Sequence, residues 1–300
     1  MPADAESEIG ASAAVAPQPF GTGELAPGVV TVLSDRVRRI IAPNPSMMTG
    51  PGTGTYLVGD DELAVIDPGP DIAAHLDRIA EVGDGRIRWV LYTHTHMDHS
   101  PGVAGLVERT GAVSVGFAAR EGKADPEPGV AAVEGAQVEV AGATLRALHT
   151  PGHASNHLCW LLEQESMLFS GDHIMNGSTV VIAPPDGNMT AYIDQLKRLR
   201  TLDLQSIAPG HGKLIGDPAA KIEEYLTHRG QREAQILAEL GPEPKSVDDL
   251  VASVYPDLAD ALRPVARYSV WAHLRRLADG ERALTEDPDD VGAAWTAHKQ

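Results

Sequence analysis

The segment YTHTHMDHS, from Tyr92 to Ser100, holds His94, His96, Asp98 and His99. Neutral imidazole and carboxylate are the ligands zinc takes alongside thiolate, so this density points to metal chemistry. The preceding RIRWVLYT reads as a β-strand, and Ser100 and Pro101 suit the cap and first position of a following helix. In extended chain, residues two apart face the same way, so His94 and His96 can chelate one ion. Where the chain turns into the helix, Asp98 and His99 are free to address a second. Two ions about 3.5–4 Å apart are a familiar hydrolytic arrangement.

From about Gly28 to Gly216, β-rich runs alternate with helical patterns. TYLVG and LAVIDPG read as strands joined at Gly59-Asp60-Asp61, and Ile72, Leu76, Ile79 and Ala80 mark a helix. Further strands are ATLRALHTPGH, LCWLLEQE, SMLFSGDHI and SIAPGHG, with a helix over 189–201. His153, Asp172 and His211 each follow an apolar strand at a glycine-containing turn, as the first run does. Recurrence at strand ends places all of them in one shared site at a sheet rim.

Beyond Gly216 the pattern becomes helical. Ile222, Tyr225, Leu226, Ile236, Leu237 and Leu240 define a long helix closed by Gly241-Pro242. Ser246 and Asp249 form a capping-box start to a short helix that stops at Tyr255-Pro256, and Pro264 opens a last helix ending at Gly280. The expected organisation is a disordered leader over 1–20, a catalytic domain over 21–218, a small helical domain over 219–284 and a mobile tail over 285–300.

The formal net charge of −18 argues against a broadly basic nucleic-acid surface. No run approaches the roughly 18–20 apolar residues of a membrane span, and the N-terminus lacks the pattern of a secretory or transit signal. Cys159 is the only cysteine, so no internal disulfide forms, and a cytoplasmic location fits. Within HLCWLLE it reads as a core thiol.

Together, THTHMDH, TPGH, SGDH and APGHG, in that order at strand ends and with the earlier LAVIDPG, resemble the metallo-β-lactamase-fold hydrolases. TPGHASNHLCWLLE, GDHI, PPDGNMTAYIDQLKRL and the helical C-terminal part resemble the β-lactamase-like protein 2 subgroup. The resemblance implies an α/β, four-layer αββα sandwich followed by a winged-helix-like domain. It implies one zinc on His94, His96 and His153, a second on Asp98, His99 and His211, Asp172 bridging them, and Asp67 orienting the ligand loop. Asp98 and Asp172 are the catalytic candidates that steer a water of lowered pKa onto a carbonyl or phosphoryl group. His96 stands where iron-binding members commonly carry a carboxylate, which favours two Zn2+ ions, with Mn2+ or Fe2+ compatible by ligand type.

Three functions follow from the resemblance and the residues. The first is an endoribonuclease on single-stranded RNA, and the second a hydrolase of acyl thioesters or other small carbonyl substrates, lactone or lactam. The third is a nucleic-acid-binding regulator acting through the C-terminal domain. Arg263, Arg267, Arg275 and Arg276 are interleaved there with Asp257, Asp260, Asp279 and Glu281, so duplex DNA is a poor partner. His173 and Tyr192 are the candidates for leaving-group protonation. His75, His149, His157, His228, His273 and His298 default to structural or solvated roles. The short link KLIGDPAAK keeps the helical domain near the metal rim, and its removal is expected to leave the ligands in place.

Overall fold

Apolar alternation along buried strands dictates how the computed structural model is layered. It describes residues 23–120, 123, 125–177 and 179–298; the leader over 1–20 lies outside the described residues. One sheet runs in the order β1 (Val30–Val32), β2 (Val37–Ile41), β3 (Gly54–Gly59), β4 (Leu63–Ile66), β5 (Ile87–Leu91), β6 (Val113–Gly116) and β7 (Val130–Ala131). A second has the order β12 (Ser206–Pro209), β11 (Met167–Gly171), β10 (Leu158–Leu162), β9 (Ala143–His149) and β8 (Gln137–Val140).

Tyr56 and Val58 on β3, and Ala64 and Ile66 on β4, point into the space between the sheets, where they meet Leu158, Trp160 and Leu162 of β10. Their neighbours Leu57, Leu63 and Val65 point outward, under α1 (Ala73–Gly83) and α2 (Gly102–Thr110). Cys159 and Leu161 on β10 likewise point outward, under α3 (Met189–Leu199) and α4 (Pro218–Glu239). The period of two, with both faces apolar, therefore requires helices on both outer faces.

Connectivity explains why the ligand segments meet. β4, β5 and β6 are parallel through α1 and α2, and β11 and β12 are parallel through α3. Two antiparallel steps bring β9 into the same direction as β11. The C-terminal ends of β4, β5, β9, β11 and β12 consequently share one rim.

The helical part comprises α4, α5 (Val247–Val254) and α6 (Arg263–Asp279). Ser246 and Asp249 close a reciprocal capping box on α5. At α2 the expected Ser100 cap does not form: Pro101 occupies the cap position, and no side chain caps the helix. The described part of the expected mobile tail, 285–298, packs instead. β13 (Ala283–Leu284) pairs with β14 (Thr296–Ala297), Lys245 and Trp295 exchange backbone hydrogen bonds of 2.9 and 2.8 Å, and the Trp295 side chain is fully buried against Val247, Leu250 and Val270. A single indole is enough to draw an otherwise acidic, glycine-containing stretch onto the core, because it removes a large apolar area from water. Trp295→Ala is expected to lower the unfolding free energy by about 3–5 kcal/mol in urea denaturation. A loss under about 0.5 kcal/mol, ordinary for an exposed position, would contradict this packing.

Candidate metal centre

The site begins at Asp67, just past β4, whose backbone sits at φ 52°, in the left-handed region that a non-glycine residue rarely adopts. Held there, its buried carboxylate accepts hydrogen bonds from the Thr93 amide (2.7 Å), the Thr93 hydroxyl (2.8 Å) and His99 Nδ1 (2.8 Å). The Thr93 hydroxyl, having given its proton to Asp67, accepts from His94 Nδ1 at 3.0 Å. Across the rim, His153 Nδ1 donates to the Val181 carbonyl (2.7 Å) and His211 Nδ1 to the Gly52 carbonyl (3.3 Å). In four of the five ligand imidazoles the Nδ1 proton is thus committed to an acceptor, and the Nε2 lone pair is turned inward.

Two groups of inward donors result. His94 Nε2 and His153 Nε2 lie 3.0 and 2.9 Å from His96 Nδ1. Two lone pairs compete there for at most one proton, whereas tetrahedral metal coordination places three nitrogens about 3.3 Å apart with every lone pair used. Burial, aided by the neighbouring rings, holds His94 well below its ordinary range, and burial with His153 beside it lowers His96 to about 4, so both keep free lone pairs. In the second group, His211 Nε2 faces Asp98 Oδ2 at 3.2 Å and Asp172 Oδ1 at 3.3 Å. His99 Nε2 lies 3.3 Å from Asp172 Oδ1 and 3.6 Å from Asp98 Oδ2. Both His99 Nε2 and Asp172 Oδ1 are buried without a hydrogen-bond partner among the described residues. Asp172 spans the groups, since its other oxygen lies 3.7 Å from His153 Nε2.

Such a set of acceptors calls for positive charge. Burial opposes charge on His99 and His211, but Asp98 and Asp172 outweigh it, lifting His99 well above its usual range and His211 to about 9. Burial likewise works to raise Asp98 and Asp172, and the facing imidazoles overcome it, bringing Asp98 to about 2 and Asp172 well below the carboxylate range. A divalent cation satisfies the same oxygens and, in addition, the orphaned nitrogens, so the donor set fits a metal. Two glycines keep the space open. A Cβ at Gly210 would come within 2.7 Å of Asp172 Oδ1 and 2.8 Å of His99 Cε1; at Gly171, with φ +47°, it would meet the Thr93 hydroxyl at 2.5 Å.

All seven candidates, His94, His96, Asp98, His99, His153, Asp172 and His211, therefore converge, as two groups with Asp172 between them. The two acid candidates do not join them. His173 is fully buried, and burial with His153 nearby lowers it to about 3. Tyr192 is equally buried and donates to the His173 carbonyl at 2.9 Å.

One functional histidine escaped the sequence reading. His157 Nε2 accepts from the Asp172 amide at 3.2 Å while Nδ1 meets the Thr150 hydroxyl at 2.8 Å, so it orients the Asp172 backbone. Its only signal was proximity to TPGH, because an inward histidine inside a strand run reads as core. Thr95 is also locked, donating to Asp125 and accepting from Arg120 and Asn156.

A four-layer αββα sandwich carrying clustered histidines and aspartates at one rim defines a class of metal-dependent hydrolases. Residues 48–211 match the Metallo-beta-lactamase superfamily, and the chain belongs to it. Residues 246–295 match the Beta-lactamase associated winged helix domain. A Beta-lactamase-like protein 2 homolog of Drosophila melanogaster is 34% identical over 281 residues, covering 87% of this chain and 94% of that protein. An Atrochrysone carboxyl ACP thioesterase of Aspergillus chevalieri is 37% identical over 214 residues, covering 69% of this chain and 67% of that protein. In fold, a Beta-lactamase domain protein from Burkholderia ambifaria matches with a TM-score of 0.78 at 20% identity, covering 91% of this chain and 94% of that one.

Asp67→Asn removes the charge that holds His99 and Thr93 and puts a donor where two acceptors are needed. Metal affinity, measured by competition with a chromophoric chelator, is expected to fall about 10–100-fold in a folded protein. Unchanged affinity would contradict the orienting role.

Proposed function

We propose that the chain hydrolyses acyl thioesters, using two divalent ions, with zinc favoured by the donor set. The observation that carries this reading is the rim. Met97, between His96 and Asp98, is 79% exposed; Met47 and Met48, on the loop whose Gly52 contacts His211, are 64% and 51% exposed. Unbranched, polarizable methionine suits flexible acyl chains. Single-stranded RNA is held by a cationic groove with stacking aromatics. The cation beside Thr95, Arg120, is already engaged by Asp125 and Asp186. The name of the Aspergillus chevalieri relative supports the same substrate class.

Bound in the two groups, the ions would supply Lewis acidity and lower the pKa of a shared water. His94, His96 and His153 would hold one, Asp98, His99 and His211 the other, with Asp172 between. Asp98, whose side chain is 27% exposed against 11% for Asp172, is the more open of the two carboxylates and would be the one to steer the attacking water. Departure of the leaving group discriminates further. A thiol with a pKa of about 8.5 leaves as thiolate without an acid, whereas the alkoxide of a cleaved phosphodiester needs one. The burial of His173 and Tyr192 is therefore compatible with thioester chemistry.

Cys159 is fully buried, its thiol pushed up to about 12 by burial. Cys159→Ala is expected to retain most activity, and trapping a covalent acyl-enzyme would contradict that. Assayed side by side, an acyl-pantetheine thioester should be turned over with a kcat/KM at least about tenfold above a lactone or a β-lactam. RNA should stay intact. Cleavage of single-stranded RNA with thioester turnover at background would overturn the reading.

A further inference from the structure

The helical domain packs through one helix face against the segment that follows Asp172. On α4, Ile222, Tyr225 and Arg229 are buried against the sandwich at spacings of three and four residues, so they form one stripe. Tyr225 holds the segment that follows Asp172: its hydroxyl accepts from the Met175 amide and donates to the Met175 carbonyl, both at 3.1 Å. One turn on, Arg229 is 2% exposed, and its guanidinium donates to the Val180 carbonyl while lying 5.3 Å from the Tyr192 ring centre. The next carbonyl, of Val181, is the acceptor that commits the His153 Nδ1 proton.

A buried guanidinium is always charged and costly to desolvate, so its location is strongly specified by the carbonyl and aromatic face that compensate it. Fixing the Val180 carbonyl orients the peptide plane that runs to the Val181 Cα, so only φ and ψ of Val181, a β-branched residue with a restricted backbone, separate that anchor from the carbonyl facing His153. We propose that Arg229 is a positioning residue for the first metal group: from the helical domain, it aims the Val181 carbonyl at His153 and so keeps His153 Nε2 available as a ligand. The inference rests on the reading of His94, His96 and His153 as metal ligands. It runs against the expectation that removing the helical domain leaves the ligands in place, since Arg229 and Tyr225 would go with it.

The test uses the full chain in two backgrounds. His211→Ala disables the second group and leaves His94, His96 and His153; His96→Ala does the reverse. Co2+ affinity and its visible absorption are measured in each, with and without Arg229→Met, which keeps the apolar stem but removes the donor. In the His211→Ala background Arg229→Met is expected to weaken Co2+ binding about 10–100-fold, as loss of a ligand-orienting partner does. In the His96→Ala background it should leave binding unchanged. Arg229→Lys, which keeps the buried charge and one donor, should show a smaller loss of the same selective kind, and it decides the matter if Arg229→Met does not fold. Equal losses in both backgrounds, or none in either, would overturn the proposal while leaving the metal reading intact. Failure of the unsubstituted chain to bind any divalent ion would overturn the metal reading itself, and this proposal with it.

Discussion

The metal centre depends on one carboxylate held in an unfavourable backbone conformation. Asp67 fixes the Thr93 amide and hydroxyl and His99 Nδ1, and through Thr93 it sets the tautomer of His94. Its oxygens thereby determine the direction of one ligand from each group. A left-handed aspartate costs free energy, and three buried hydrogen bonds to a charged acceptor offset it. That is why the chain can turn sharply after β4 and still present a rigid support to the loop after β5.

Two further imidazoles repeat the device with backbone carbonyls, His153 with Val181 and His211 with Gly52, and His157 holds the Asp172 amide. The supports come from distant parts of the chain, β4, the 42–53 loop, the segment before α3 and, through Arg229, α4. Preorganisation of this kind holds the His94, His96 and His153 donors within about 3 Å of one another, the spacing that a shared cation would use. The overall acidity of the chain is a separate matter. In the proposed thioesterase reading it would bear on which substrates approach, and the exposed methionines and the ion-paired Arg120 on what the rim accepts.

Much of the site was legible because strand-end placement leaves a pattern. His94, His96, Asp98 and His99 follow a visible strand, and His153, Asp172 and His211 follow others at glycine turns, so topology alone gathers them. The layering was legible too, since β3, β4 and β10 are apolar on both faces. What stayed hidden depends on contacts between residues far apart in sequence. His157 lies inside an apolar run, and nothing local distinguishes an imidazole that orients Asp172 from one that fills space. Arg229 reads as a surface arginine on a long helix until the fold buries it. Trp295 was lost in an acidic stretch because a two-residue strand pairing has no periodicity to detect. His173 and Tyr192 are buried for a reason that is equally invisible in the sequence: adjacency to Asp172, or a site-like motif, says nothing of which way a side chain faces.

The central claim is that inward-turned lone pairs and the Asp172 carboxylate form two adjoining cation sites. Anomalous diffraction at the zinc edge from zinc-loaded crystals tests it most directly. The account predicts two peaks, one within about 2.0–2.2 Å of His94 Nε2, His96 Nδ1 and His153 Nε2, the other equally close to Asp98, His99 Nε2 and His211 Nε2, with one Asp172 oxygen on each. A single peak, or a second one lying away from Asp98, His99 and His211 at saturating zinc, would contradict it.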